Sequence, residues 1–415
     1  MKRIMFIALT LLPLLSSGQT LEECQRAAER NYPLIAQHDL IAHTTDLTVA
    51  NIQKGWLPQV TASAQATYQN AVTSWPDEMQ AMGKMSMDKD QYRVGLDVQQ
   101  TVFDGGMISA QKRVAREQGA VQQAQLDVSL YNVRQRVNEM YFALLLLQDQ
   151  ISLNDDLQEQ LTASEKKLTS MVKHGTAAEC DLNNVTAERL NVVQQRTTLE
   201  SQRRVLLAML GTFCGLEVSD VTKPQAVEPG TGNNRPELTL IDSQLRLANA
   251  QEKALEAALL PRLGVFAQGY YGYPGYDLFK DMMGRDWSWN AMVGARMTWN
   301  IGALYTRHND KAKLQLQRET AQNQREVFLF NNRLEQMQQQ EAIGRYRSLM
   351  AQDEEIIALR KQVRKAAESK LSHGIIDVND LLRDINSENA ARVQRSIHEI
   401  EMLKQMYDLK YTTND

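Results

Sequence analysis

The chain is written twice. Asn31-Tyr-Pro-Leu recurs as Asn234-Arg-Pro-Glu, and Leu57-Pro58 recurs as Leu260-Pro261, both displaced by 203 positions. His174-Gly175 recurs as His373-Gly374, displaced by 199, and Asp181-Leu182 follows the first glycine at the interval at which Asp380-Leu381 follows the second. Four anchors kept in one order mean that both halves fold to one design. Residues 215–233, rich in Pro, Gly and Thr and without periodicity, form the seam. The 415 residues thus divide into residues 1–18, a first repeat at 19–214, a linker at 215–233 and a second repeat at 234–415.

Each copy reads helix, strand, strand, very long helix, turn, returning helix. The strands are expected at about 58–70, 91–103, 261–273 and 288–300. In the first, Val60, Ala62, Ala64, Ala66 and Tyr68 alternate without a fault with Gln59, Thr61, Ser63, Gln65 and Thr67. In the second, Tyr92, Val94, Leu96, Val98 and Val102 oppose Arg93, Asp97, Gln99 and Thr101, and in the fourth Trp289, Ala291, Val293, Ala295, Met297 and Trp299 share a face. The third is weaker, because Phe266 and Tyr270 fall on its polar side.

These lengths suit strands that cross a bilayer at a tilt, about 9 to 11 residues each. Trp75, Tyr92, Tyr271, Tyr273, Tyr276, Trp287, Trp289 and Trp299 crowd their ends, as interfacial girdles would. A soluble sandwich would alternate equally well, but everything outside the strands is helical and offers no second sheet. Four strands cannot close a barrel, and lipid does not tolerate an open edge. Chains must therefore pool strands, 8 from two copies or 12 from three; the wider barrel leaves a lumen, whereas side chains fill the narrower. Val94, Leu96, Val98, Val293, Ala295 and Met297 are then expected to face lipid.

From Met107 to Lys173 there is no proline, and Val133, Val137, Met140, Leu144, Leu147 and Ile151 step by fours and threes as in a coiled-coil seam. Such a helix reaches roughly 100 Å. Leu304 to His373 repeats it, with return helices expected at about Asp181 to Leu210 and Asp380 to Lys410.

Lys2 and Arg3, the apolar run Ile4 to Leu15, and Ser16-Ser-Gly18 form a secretory leader, so the mature chain is expected to start near Gln19. Cys24 lies inside a polar helical segment, and no lipid anchor is expected. The longest later apolar run, Tyr141 to Leu147, is a helix face, far short of the roughly 20 residues of a spanning helix. Cys24, Cys180 and Cys214 are too few and scattered for a disulfide framework and read as free thiols. The net charge of −4 comes from interspersed signs, which excludes a basic nucleic-acid footprint.

With Asn-x-Pro at Asn31 and Asn234, Leu-Pro before the strands at Pro58 and Pro261, and Val102-Phe-Asp-Gly-Gly106 matched by Thr298-Trp-Asn-Ile-Gly302, the mature chain resembles the TolC family of outer-membrane factors. The resemblance implies a mainly α protein with a membrane β-barrel. Each protomer of a homotrimer gives four strands to a shared 12-stranded barrel, and long antiparallel coiled-coil hairpins to a periplasmic helical tunnel. It further implies helical tips that engage a periplasmic adaptor (membrane fusion protein) and an inner-membrane pump. The tip residues are Gly175, Thr176, Gly374 and Ile375, and the pore constriction falls on Asp380, Arg383 and Asp384. Best-known members carry a second aspartate where Arg383 stands, and an arginine where this chain has Ile376.

His174 and His373 suit ordinary helix ends, where the ring meets exposed carbonyls and the glycine turns left-handed. His38 and His43 lie on different helix faces. Met79, Met82, Met85 and Met87 invite a copper reading, but a tolerant loop with adaptable apolar fillers suits them better, and Asp77, Glu78, Asp88 and Asp90 there read as solvated charges. No nucleophile elbow, phosphate loop or paired metal motif appears, so no enzyme, metal site or cofactor is expected. The expected function is an outer-membrane duct of a tripartite efflux or type I secretion system. The competing class is a periplasmic coiled-coil scaffold or adaptor without a channel, distinguished by the paired amphipathic strand hairpins.

Overall fold

The computed structural model describes residues 18–414 except 77, 79–84, 229 and 231; the leader, Asp77, Met79 and Met82 lie outside the described residues. The elements in order are α1 (Leu21–Asn31), α2 (Ala36–Gln53), β1 (Gln59–Tyr68), β2 (Asp90–Phe103), α3 (Met107–Lys173), α4 (Glu179–Cys214), α5 (Pro236–Ala258), β3 (Arg262–Tyr273), α6 (Leu278–Met283), β4 (Ser288–Thr298), α7 (Ala303–Ser372) and α8 (Val378–Thr413). They fall into two compact units.

The strand-bearing unit comprises His38–Gln125 and Thr239–Arg325. Its antiparallel sheet has the order β1-β2-β3-β4, so β1 and β4 are the edges. Asp104 launches α3 from β2, its two carboxylate oxygens accepting from Gly106 N at 2.8 Å and Ile108 N at 2.6 Å. That is the reason for Asp-Gly-Gly at this junction, since both glycines adopt positive φ. Charges tie the helices together. Glu252 of α5 pairs with Arg318 of α7 at 2.6 Å, and Glu117 of α3 with Arg246 of α5 at 3.4 Å.

The helical unit comprises Met1–Gln37, Leu126–Leu238 and Glu326–Asp415. One core gathers Leu21, Val137, Tyr141, Leu144, Leu210, Ile400 and Leu409; a second, toward the hairpin turns, gathers Leu161, Leu168, Val185, Leu371, Leu381 and Ile385. The steps of three and four along α3 place its apolar stripe in these cores. The Asn-x-Pro openings dock on the ends of their own repeats' return helices. Asn31 Nδ2 donates to the carbonyls of Thr212 (3.1 Å) and Phe213 (3.2 Å), while Asn234 N donates to Thr413 O at 3.0 Å. Both return helices end on a left-handed residue, Gly215 (φ 65°) and Asn414 (φ 53°). These contacts satisfy the last carbonyls, so α4 and α8 run past the expected ends at Leu210 and Lys410; both also start two residues before the expected Asp181 and Asp380.

Between β1 and β2 the described residues are more ordered than a tolerant loop. Trp75 N donates to Met85 O and Met87 N to Thr73 O, both at 3.0 Å, and Met87 is buried. Asp88 and Asp90, expected as solvated charges, both pair with Arg285, and Asp88 N donates to the Tyr273 hydroxyl at 2.8 Å.

Asp408 of α8 is half-buried. Burial pushes its carboxyl up to about 6, and the nearby Glu139 and Glu335 add to this against Lys404 and the hydrogen bond from Asn138. A carboxyl whose folded pKa is raised contributes its full stability below the unfolded value, near 3.9, and loses it as pH rises through about 6. Asp408→Asn should therefore stabilise the protein at pH 7 and lose that advantage by pH 4. Thermal unfolding of both proteins across this range checks it; a pH-independent difference rejects the assignment.

Candidate functional site

Register decides what each strand face can do. Val60, Ala62, Ala64 and Ala66 of β1 stand opposite Val98, Leu96, Val94 and Tyr92 of β2. Across β3 and β4 the same side continues through Ala267 and Val293, Val265 and Ala295, and Leu263 and Met297. One side of the sheet is therefore apolar from edge to edge except at Gln100, which stands opposite Val265. None of the described residues covers this side: Trp289 is 82 % exposed, Val293 80 %, Tyr68 77 % and Met297 65 %. An apolar area of this extent is unfavourable in water and requires an apolar surrounding. At one end Tyr92, Trp287, Tyr271 and Trp289 stack in a row with centroids 5.2 to 6.1 Å apart. Tyr273 and Tyr276 do not join this row. Tyr273 is buried, its hydroxyl donating to Asp281 O, and Tyr276 packs edge-on against Tyr270.

The opposite side carries Gln59, Thr61, Ser63, Arg93, Asp97, Gln99, Gln268 and Arg296, together with the two residues that break the alternation of β3. Phe266 lies opposite Gly294 and Tyr270 opposite Gly95, and a Cβ on either glycine would come within 2.8 Å or 2.7 Å of the aromatic side chain. Each ring is also roofed by a guanidinium, Arg93 at 4.4 Å from the Tyr270 centroid and Arg296 at 4.9 Å from that of Phe266. Cation–π contact and a cross-strand glycine make these aromatics compatible with a polar face.

At the hairpin turns, Gly175 (φ 73°) and Gly374 (φ 69°) end α3 and α7. Thr176 N donates to Met171 O and Gly175 N to Val172 O; Ile375 N and Gly374 N repeat the pattern on Lys370 O and Leu371 O. Added Cβ atoms at the two glycines would meet nothing within 4 Å, so the space beside each turn is open. Thr176 and Ile375 are exposed. The His373 ring meets Ser369 O at 2.7 Å, an ordinary helix end. Asp377 caps α8 by accepting from Asp380 N at 2.8 Å, and the exposed Asp380 carboxylate pairs with Arg383 at 2.9 Å. Beneath the turns Glu388, which sequence reasoning passed over, is buried and accepts from Arg364 at 2.5 Å and Arg392 at 2.8 Å. No local signal marks it among the many carboxylates of these helices.

The model of the family described as outer membrane efflux protein matches residues 26–215, the span of the first repeat. Over this stretch the chain is similar to the outer membrane efflux proteins. Solved channels share the fold of almost the whole chain. The Campylobacter jejuni CmeC outer membrane channel is 13 % identical, with 95 % of this chain and 85 % of that one covered and a TM-score of 0.66. The Vibrio cholerae outer membrane protein VceC is likewise 13 % identical (95 % and 94 % covered, TM-score 0.66), and the open Neisseria gonorrhoeae MtrE channel 14 % (95 % and 88 %, 0.64). A search of the curated proteins finds no match. The fold is that of outer-membrane channels, in which each protomer gives four strands to a shared barrel and its long helices to a tunnel. The chain is thus similar to outer-membrane channel components with a large periplasmic helical portion. Family and neighbours are transport channels rather than enzymes.

Proposed function

We propose that this protein is the outer-membrane channel component of a tripartite export system, and that three copies close a 12-stranded barrel, with β4 of one protomer pairing with β1 of the next. The reading is carried by one observation, a sheet with two free edges, one bare apolar side and one polar side. Val94, Leu96, Val98, Val293, Ala295 and Met297 then meet lipid, and Arg93, Gln99 and Arg296 the aqueous lumen. Gly175, Thr176, Gly374 and Ile375 dock the periplasmic adaptor, supported by the open space at both turns, and an inner-membrane pump supplies the cargo. Small-molecule efflux and type I protein secretion use the same duct.

Asp380, Arg383 and Asp384 line the periplasmic mouth in this reading. Arg383 neutralises the Asp380 carboxylate and leaves Asp384 as the remaining negative charge, so cation preference is weaker than in relatives with two aspartates. Protein extracted from the outer membrane and reconstituted in a planar bilayer should form trimeric pores. Asp380→Ala should lower their cation preference. Unaltered conductance and selectivity would leave Asp380 a helix-start residue only, and folded protein that stays monomeric and non-conducting would end the channel reading.

A further inference from the structure

Cys24 and Cys214 are 190 positions apart in sequence and share one core. Cys24 lies in the first turn of α1 and is 1 % exposed; Cys214 is the last residue of α4 and is 3 % exposed. Both are free thiols in this structure, and the Cys214 thiol donates to the Cys24 carbonyl at 3.4 Å. The backbones around them are independently fixed. Asn31 holds the carbonyls of Thr212 and Phe213, and the Tyr32 ring stacks on Phe213 at 5.6 Å. The third cysteine, Cys180, is exposed near the first hairpin turn and belongs to neither contact.

We propose that Cys24 and Cys214 form a disulfide in the exported protein, pinning the first helix of the mature chain to the end of the first return helix. The helical unit is periplasmic, and that compartment favours disulfides wherever two thiols meet. The oxidant is a protein disulfide of a thiol-oxidising enzyme. One cysteine thiolate attacks it, giving a mixed disulfide and releasing one enzyme thiol; the second thiolate then attacks the cysteine sulfur of the mixed disulfide and releases the other. Two S–H bonds break, one S–S bond forms, and two electrons and two protons pass to the enzyme, which leaves as a dithiol. Because both sulfurs are buried, the exchange occurs before α1 closes onto α4. The bond then ties the ends of a long loop, the case in which a crosslink constrains the unfolded chain most. It also keeps α1 docked, so the edge of the core formed by Leu21 and Ala28 stays covered.

The test uses full-length protein from outer-membrane fractions, alkylated with N-ethylmaleimide during lysis and denatured without reductant. Mass spectrometry should find one alkylated thiol, Cys180, and two more only after reduction. Tryptic peptides containing Cys24 and Cys214 should run as one species, two hydrogens lighter than their sum. Reductant should lower the thermal transition of the wild type and leave that of the C24A/C214A protein unmoved, whereas a pair that only packs would give no response to reductant in either. Three alkylated thiols in unreduced protein overturn the proposal, and since that protein comes from the outer membrane, they do so without touching the channel reading.

Discussion

Val98→Arg is expected to abolish most trimer assembly, while Gln99→Arg one position away leaves it near the wild-type level. Val98 lies on the second strand between Val60 and Ala267, in the middle of the bare apolar side. Arginine there must bury its charge in hydrocarbon, at roughly 2 to 4 kcal/mol per protomer near the midplane. In a threefold assembly the cost is incurred three times. Gln99 points the other way and stands opposite Phe266, beside a face that already carries Arg93 and Arg296, so a further guanidinium meets water. The amount of heat-resistant trimer in outer-membrane fractions measures both variants. Equal tolerance at the two positions would mean that the apolar side does not face lipid.

Glu388→Ala is expected to loosen the hairpin tips strongly. Its side chain is 2 % exposed and serves two arginines, of which Arg364 is 12 % exposed. Stranding one partner of a buried ion pair costs about 3 to 5 kcal/mol, and the low end applies here because Arg364 keeps the solvent-exposed Glu368. A loss of about 3 kcal/mol corresponds to roughly a hundredfold rise in the opening equilibrium of the start of α8. Amide hydrogen exchange reads this directly, with the change confined to the tip and the Tyr141 core unaffected. Replacing Glu388 and Arg364 together by Leu should recover most of the protection, because the buried guanidinium goes with its partner and the more exposed Arg392 keeps Asp156. Unchanged exchange in the single variant would show that Glu388 is not a clamp.

Local pattern announced a good deal of this. Alternation in β1 has no fault and β2 largely repeats it, so their apolar residues share a side once the strands pair, as Val60 and Val98 do. The two His-Gly steps mark the helix ends at Lys173 and Ser372, because only a left-handed residue stops such helices so sharply. The third strand was harder. Phe266 and Tyr270 break its alternation, and what admits them, Gly294, Gly95 and two arginines, comes from neighbouring strands. In sequence, Tyr273 and Tyr276 look like girdle residues. The turn after β3 draws them inward through Asp281 and Tyr270.

By itself the sequence determined the duplication, the strand faces and the long helices, because periodicity and glycine placement act within a few residues of chain. Tertiary structure alone decided which polar groups became special. Glu388 and Asp408 read as two more carboxylates on helices with many, and only the packing of α3, α7 and α8 takes them out of water. Cys24 and Cys214 read as stray thiols until Asn31 docks one helix on the end of another. Burial is set by whichever element covers a face, and no short-range pattern along a helix encodes the identity of that neighbour.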